Sequence, residues 1–136
     1  MTAESLTPSP FMRLSALLVE DETIISMEIE HMLQDLGCAA VWHAANVSGA
    51  MRILNEHRPD LALLDVNLGS EKVFPVAAAL VERAVPFIFS TGYGREGLPR
   101  EWADRPVIRK PYLASELAAA MLPLLQPAPS ARRDLP

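Results

Sequence analysis

The sequence predicts an α/β fold in which a parallel sheet carries helices on both faces. Five short apolar runs alternate with stretches of helical periodicity, and most of those runs end in polar or charged residues. The size agrees, since 136 residues, 50% hydrophobic and 21% charged, are enough for one core.

Each element has its own signal. Residues 14–19 (LSALLV) form an apolar run of buried-strand type that ends in Glu20, Asp21 and Glu22. Over residues 22–36, Ile25, Ile29, Met32, Leu33 and Leu36 recur at helical spacing, and Gly37 is a stop signal. Residues 39–44 read as a second strand. Asn46 or Ser48 can cap a helix that runs to about His57. Residues 61–66 (LALLDV) are the clearest buried strand. A helix follows over residues 72–83, with Pro75 tolerable in its first turn and Ala77, Ala78 and Ala79 allowing close packing. Residues 85–90 and 106–109 read as the fourth and fifth strands, and residues 113–126 as a last helix, capped by Ser115 and strained by Pro123. Between Thr91 and Lys110, Gly92, Gly94, Gly97, Pro99 and Pro106 leave little room for a three-turn helix, so a loop with a short or irregular helix near residues 98–103 is expected. Proline-rich ends without apolar periodicity mark residues 1–12 and 127–136 as tails around a domain over residues 13–126.

Composition narrows the function. Twelve basic against seventeen acidic residues give a charge of −5, which argues against a nucleic-acid or anionic-membrane partner. Cys38 is the only cysteine, a pattern that suits a reducing cytoplasm. No apolar run approaches the ~20 residues of a membrane span. His31, His43 and His57 lack metal-ligand spacing, and Cys38, Trp42 and Trp102 read as packing residues.

The chemistry of such a fold collects at the carboxyl ends of its strands. Those ends carry Glu20 and Asp21, then Asp65 followed by Asn67, then Ser90, Thr91 and Gly92, then Lys110 and Pro111. Clustered carboxylates resist ionising together, and a hard divalent cation such as Mg²⁺ relieves their repulsion. An ionised Asp65 beside Mg²⁺ can attack phosphorus to form an aspartyl phosphate. Lys110 and the Thr91 hydroxyl can neutralise and bond the phosphoryl oxygens, with Gly92 leaving its N–H open to approach.

These motifs together resemble the receiver domain of bacterial two-component response regulators. LLVEDE is similar to the family's acidic motif, LALLDVNLG to its phosphoacceptor motif, STG to its hydroxyl motif and IRKP to its Lys-Pro motif. The resemblance implies a flavodoxin-like (βα)5 doubly wound parallel sheet of strand order 2-1-3-4-5. It implies phosphorylation of Asp65 by a sensor histidine kinase or phosphotransfer protein. Mg²⁺ would be held by Glu20 (directly or through water), Asp21, Asp65 and the backbone carbonyl of Asn67. Thr91 and Lys110 would contact the phosphoryl group, and the Lys110–Pro111 bond would be cis.

Two departures stand out. The aromatic that most receivers carry three positions before the lysine is Val107 here. The stretch Phe89-Ser90-Thr91-Gly92-Tyr93-Gly94 is similar to the Phe-Ala-Thr-Gly-Tyr type of stand-alone receiver, which has an atypical fourth helix. Its glycines would let the loop reorder on phosphorylation, and Tyr93 would shield the phosphate from water. Residues 92–97 also fit G-x-G-x-x-G, but Pro99 interrupts the turn that follows, so a dinucleotide fingerprint is disfavoured. The expected protein is a cytoplasmic monomer or weak dimer that signals to a downstream protein target through its own surface. The competing readings are a phosphorylation-independent interaction module and a Mg²⁺-dependent phosphohydrolase. The latter lacks a general acid at Asn67.

Overall fold

The computed structural model describes residues 9–125. Residues 1–8 and 126–136, most of the two expected tails, lie outside them.

A parallel sheet of five strands organises the molecule: β1 (Ser15–Val19), β2 (Ala40–Ala44), β3 (Leu61–Asp65), β4 (Phe87–Thr91) and β5 (Val107–Arg109), in the order 2-1-3-4-5. The helices are α1 (Thr23–Leu36), α2 (Val47–Glu56), α3 (Phe74–Glu82) and α4 (Ala114–Met121). Side-chain alternation along the strands builds two cores. Leu17, Val19, Ala62, Leu64, Phe87 and Phe89 face α2 and α3, packing on Ala50, Leu54, Val76, Ala77 and Leu80. Ala16, Leu18, Leu61, Leu63, Ile88 and Ile108 face α1 and α4, packing on Ile29, Leu33, Leu117 and Met121. The central strands are buried on both faces, which is why they read as continuous apolar runs.

Local signals explain the helix ends. Asn46 caps α2, its side chain accepting the Gly49 N–H at 2.8 Å. Gly37 ends α1 in the left-handed region at φ 116°, its N–H and that of Cys38 closing on the carbonyls of Gln34 and Leu33.

The structure corrects several expectations. Phe11 belongs to the α1/α4 core and is 4% exposed, so ordered packing begins inside the expected tail over residues 1–12. Ser9 adds to this by donating its hydroxyl to the Leu36 carbonyl at 2.6 Å. Ser115 does not cap the last helix; the Glu116 carboxylate accepts the Leu113 N–H at 2.7 Å instead. That helix ends at Met121 and tightens into a 3₁₀ turn over Leu122–Leu125, where Pro123 lacks an N–H for an α-helical bond. A two-stranded hairpin, Asn67–Leu68 with Glu71–Lys72, follows β3 and was not anticipated from the sequence. The irregular segment between β4 and β5 was, and it consists of two 3₁₀ turns, Gly94–Gly97 and Arg100–Trp102.

Candidate functional site

Strand register brings the predicted residues to one edge. Val19 lies beside Leu64, Asp65 beside Ser90, and Thr91 beside Arg109. Glu20, Asp65, Thr91 and Lys110 therefore emerge from neighbouring strands at the same level. Backbone bonds fix the exits: Glu20 N–H to Ala44, Val66 N–H to Ser90 and Lys110 N–H to Thr91, at 2.9–3.0 Å.

Asp65 closes β3 and is buried, as is Glu20 at the end of β1. Lys110 Nζ reaches both carboxylates, 3.2 Å from Glu20 Oε1 and 3.4 Å from Asp65 Oδ2. Glu20 Oε2 accepts the Glu22 N–H at 3.1 Å. Asp21 is exposed, yet it offers a carboxylate oxygen within 4.8 Å of oxygens from Glu20 and Asp65. His43, exposed on β2, places Nε2 2.8 Å from the Glu20 carbonyl and so steadies the turn from behind.

The electrostatics follow from this crowding. Burial and the Glu20 carboxylate push Asp65 up to about 7, with Lys110 only partly opposing them. Burial would lower the Lys110 ammonium, but Asp65 and Glu20 outweigh it and hold the lysine above its usual range. One ammonium thus neutralises a buried pair of acids incompletely. Three carboxylate groups gathered this closely suit a hard divalent cation with oxygen ligands, so the donor set fits Mg²⁺.

The remaining predicted residues fall into place around this centre. The Lys110–Pro111 bond is cis. Asn67 follows β3 in the hairpin, its N–H 3.4 Å from Asp65 Oδ1 and its side-chain carbonyl bonded by Lys72. Thr91 is buried, and its hydroxyl accepts the Tyr93 N–H at 3.1 Å. Tyr93 itself is 69% exposed. A side chain at Gly92 would meet nothing within 4 Å, whereas Gly94 has φ +63° and needs the freedom of glycine. Val107 is half-buried in the α2/α3 core.

Two contributors escaped the sequence reading. Gly97 lies so close to Thr91 that an added Cβ would stand 2.7 Å from its Oγ1. Tyr112, two residues after Lys110, buries a hydroxyl beside the site. Gly97 was read only as part of a disfavoured G-x-G-x-x-G match, and no local pattern announces a contact made only after the chain has folded.

Comparison with known proteins places these features in context. The family model for the response regulator receiver domain matches residues 16–121. The phyllosphere-induced regulator PhyR of Methylorubrum extorquens is 33% identical over 121 residues, 86% of this chain and 45% of PhyR. The transcriptional regulatory protein PdtaR of Mycobacterium tuberculosis is 27% identical over 109 residues, 77% of this chain and 53% of PdtaR. The chain therefore spans about half the length of the curated relatives it matches. Among solved structures, SdrG from Sphingomonas melonis Fr1 is 37% identical with a TM-score of 0.71, covering 87% of this chain and 99% of SdrG. Among the described residues no helix is long and apolar enough to cross a membrane.

Proposed function

Since the chain belongs to the response regulator receiver domain family, we propose that it is a phosphoacceptor whose Asp65 takes a phosphoryl group from a phosphohistidine on a sensor kinase or phosphotransfer protein. The observation that carries this reading is the Asp65 carboxylate at the end of the central strand, within 3.4 Å of Lys110 and 4.8 Å of the Glu20 and Asp21 oxygens.

In the transfer, the donor's N–P bond breaks as a bond forms from phosphorus to Asp65 Oδ, and the imidazole nitrogen left behind takes a proton from solvent. Phosphoryl transfer asks for positioning and charge neutralisation more than for covalent help. Lys110 supplies an ammonium already directed at Asp65 and turns it toward the new phosphoryl oxygens. Thr91 supplies a hydroxyl donor one strand away. Glu20, Asp21, Asp65 and the Asn67 carbonyl would hold Mg²⁺, which when bound offsets the crowded negative charge and lets Asp65 remain an ionised nucleophile at neutral pH. The added phosphate charge then acts on the residues around Thr91, and the altered surface is read by a downstream protein.

The test uses the full chain, Mg²⁺ and acetyl phosphate. The expected product carries one phosphoryl group that hydroxylamine removes, and the Asp65→Asn variant takes up none. Equal labelling of that variant would refute the assignment.

A further inference from the structure

The hairpin after β3 lies against the acidic centre. Its turn is Gly69–Ser70, with Gly69 at φ +66°, the left-handed conformation that a two-residue hairpin loop asks of its first residue. Leu68 roots the hairpin in the α2/α3 core. A Cβ built on Gly69 would stand 3.7 Å from Asp21 Oδ2, so the turn borders one carboxylate of the acidic cluster.

The ladder decides which way Asn67 faces. Asn67 pairs with Lys72, and Leu68 with Glu71. The Val73 N–H bonds the Val66 carbonyl at 3.1 Å. Bonded and non-bonded pairs alternate along an antiparallel ladder, so Asn67 and Lys72 form the non-hydrogen-bonded pair in between. The Asn67 N–H and carbonyl therefore both point out of the hairpin, on the side where the N–H lies 3.4 Å from Asp65 Oδ1. Side chains of such a pair stand closest together, and the Lys72 ammonium donates to Asn67 Oδ1. Lys72 thus takes the side-chain carbonyl and leaves the backbone carbonyl to a cation, so the two demands on Asn67 fall on different atoms.

Glu71 ties the same strand to the next element. Its Oε1 accepts the Val47 N–H at 2.8 Å, one of the donors that helix geometry leaves unpaired at the start of α2. Asn46 serves a different donor there, the Gly49 N–H. Glu71 and Lys72 are both exposed, so core packing gives no reason for either.

We propose that Glu71 and Lys72 are positioning residues for the Mg²⁺ that the acidic centre fits, holding the hairpin so that the Asn67 backbone carbonyl stays turned toward the site and Gly69 stays against Asp21. This rests on the cation site of the phosphoacceptor reading. Neither side chain touches a reacting atom. They act through Asn67, reducing the cost of ordering its carbonyl when the cation arrives.

The experiment titrates Mg²⁺ into the metal-free full-length chain and follows the backbone amide signals of Asp21, Asp65, Asn67 and Gly69, a readout independent of phosphate uptake. Lys72→Met and Glu71→Ala each weaken Mg²⁺ binding by about 3- to 10-fold, the range that one net hydrogen bond supplies. The two signs separate positioning from charge. By charge alone, loss of an ammonium would strengthen cation binding and loss of a carboxylate would weaken it; positioning weakens both. Lys72→Arg keeps a donor and Glu71→Gln keeps an acceptor, and both bind Mg²⁺ as the unaltered chain does. Unchanged binding in Lys72→Met or Glu71→Ala, tighter binding in Lys72→Met, or a loss in Glu71→Gln as large as in Glu71→Ala overturns the proposal. Signals of the unaltered chain that Mg²⁺ leaves unmoved overturn the cation site, and the proposal with it. Mg²⁺ binding without phosphate uptake from acetyl phosphate overturns the phosphoacceptor reading alone.

Discussion

Replacing Asp65 by asparagine should stabilise the metal-free protein, and more so as pH rises. Asp65 has an ordinary value of 3.8 and is pushed to about 7 in the fold by burial and Glu20. The folded state therefore holds this proton more tightly than the unfolded chain does. From about pH 4 to about pH 7 unfolding releases a proton, so stability falls as pH rises, and it levels off above. The gap of about three pKa units, at about 1.4 kcal/mol each, amounts to about 4 kcal/mol when complete. At pH 5.5 about 2 kcal/mol of that penalty is present, and by pH 8 almost all of it. Asparagine does not titrate, and Lys110 keeps Glu20 as a partner at 3.2 Å. The gain from Asp65→Asn should thus be larger by about 2 kcal/mol at pH 8 than at pH 5.5. Urea unfolding of both proteins in EDTA at the two pH values reads this difference directly. Parallel pH dependences would refute the reasoning, because they would mean that Asp65 ionises in the fold as easily as in the unfolded chain.

Other perturbations test neighbouring parts of the argument. Lys110→Met removes the cation that lowers Asp65, so the Asp65 midpoint followed by carboxyl NMR should rise by about one unit or more, and an unchanged midpoint would contradict the ion pair. Gly37→Ala places a side chain at φ 116° and should cost about 1–2 kcal/mol in thermal or chemical unfolding. Gly97→Ala puts a methyl group 2.7 Å from Thr91 Oγ1, which should cost about 1–3 kcal/mol and move backbone amide signals between residues 91 and 97; a silent spectrum would show that the contact is slack.

The sheet and its chemical edge were legible because both depend on local signals. Apolar runs that end in Glu20, Asp65, Thr91 and Lys110 mark strand ends, and a parallel sheet necessarily puts those ends on one side. What escaped depends on partners distant in the chain. Phe11 looked like part of a tail because nothing next to it is apolar in a regular pattern, yet the α1/α4 core holds it. The hairpin after β3 is held by a bond from Lys72 to Asn67, and its Glu71 accepts the Val47 N–H of α2 at 2.8 Å. Tyr112 was passed over because an unpaired hydroxyl is visible only once its surroundings are known.

The segment before β5 shows how a stretch unable to form a long helix still stays ordered. Its backbone carbonyls need partners as helical ones do, and Arg95 provides them, donating to the carbonyls of Ala103 and Arg105. Its far end is anchored by Trp102, which stacks on Phe74 with centroids 6.1 Å apart and meets Phe87 and Phe89 edge-on. The Arg105 guanidinium lies 5.5 Å from the Phe87 ring and 5.8 Å from that of Trp102. The near end has no aromatic anchor: Gly92, Tyr93, Arg95 and Glu96 are exposed, and they are held by the Thr91 hydroxyl, the close approach of Gly97 and the Arg95 bonds to the far end. With Val107 small at the start of β5, Trp102 supplies aromatic bulk on this face of the sheet.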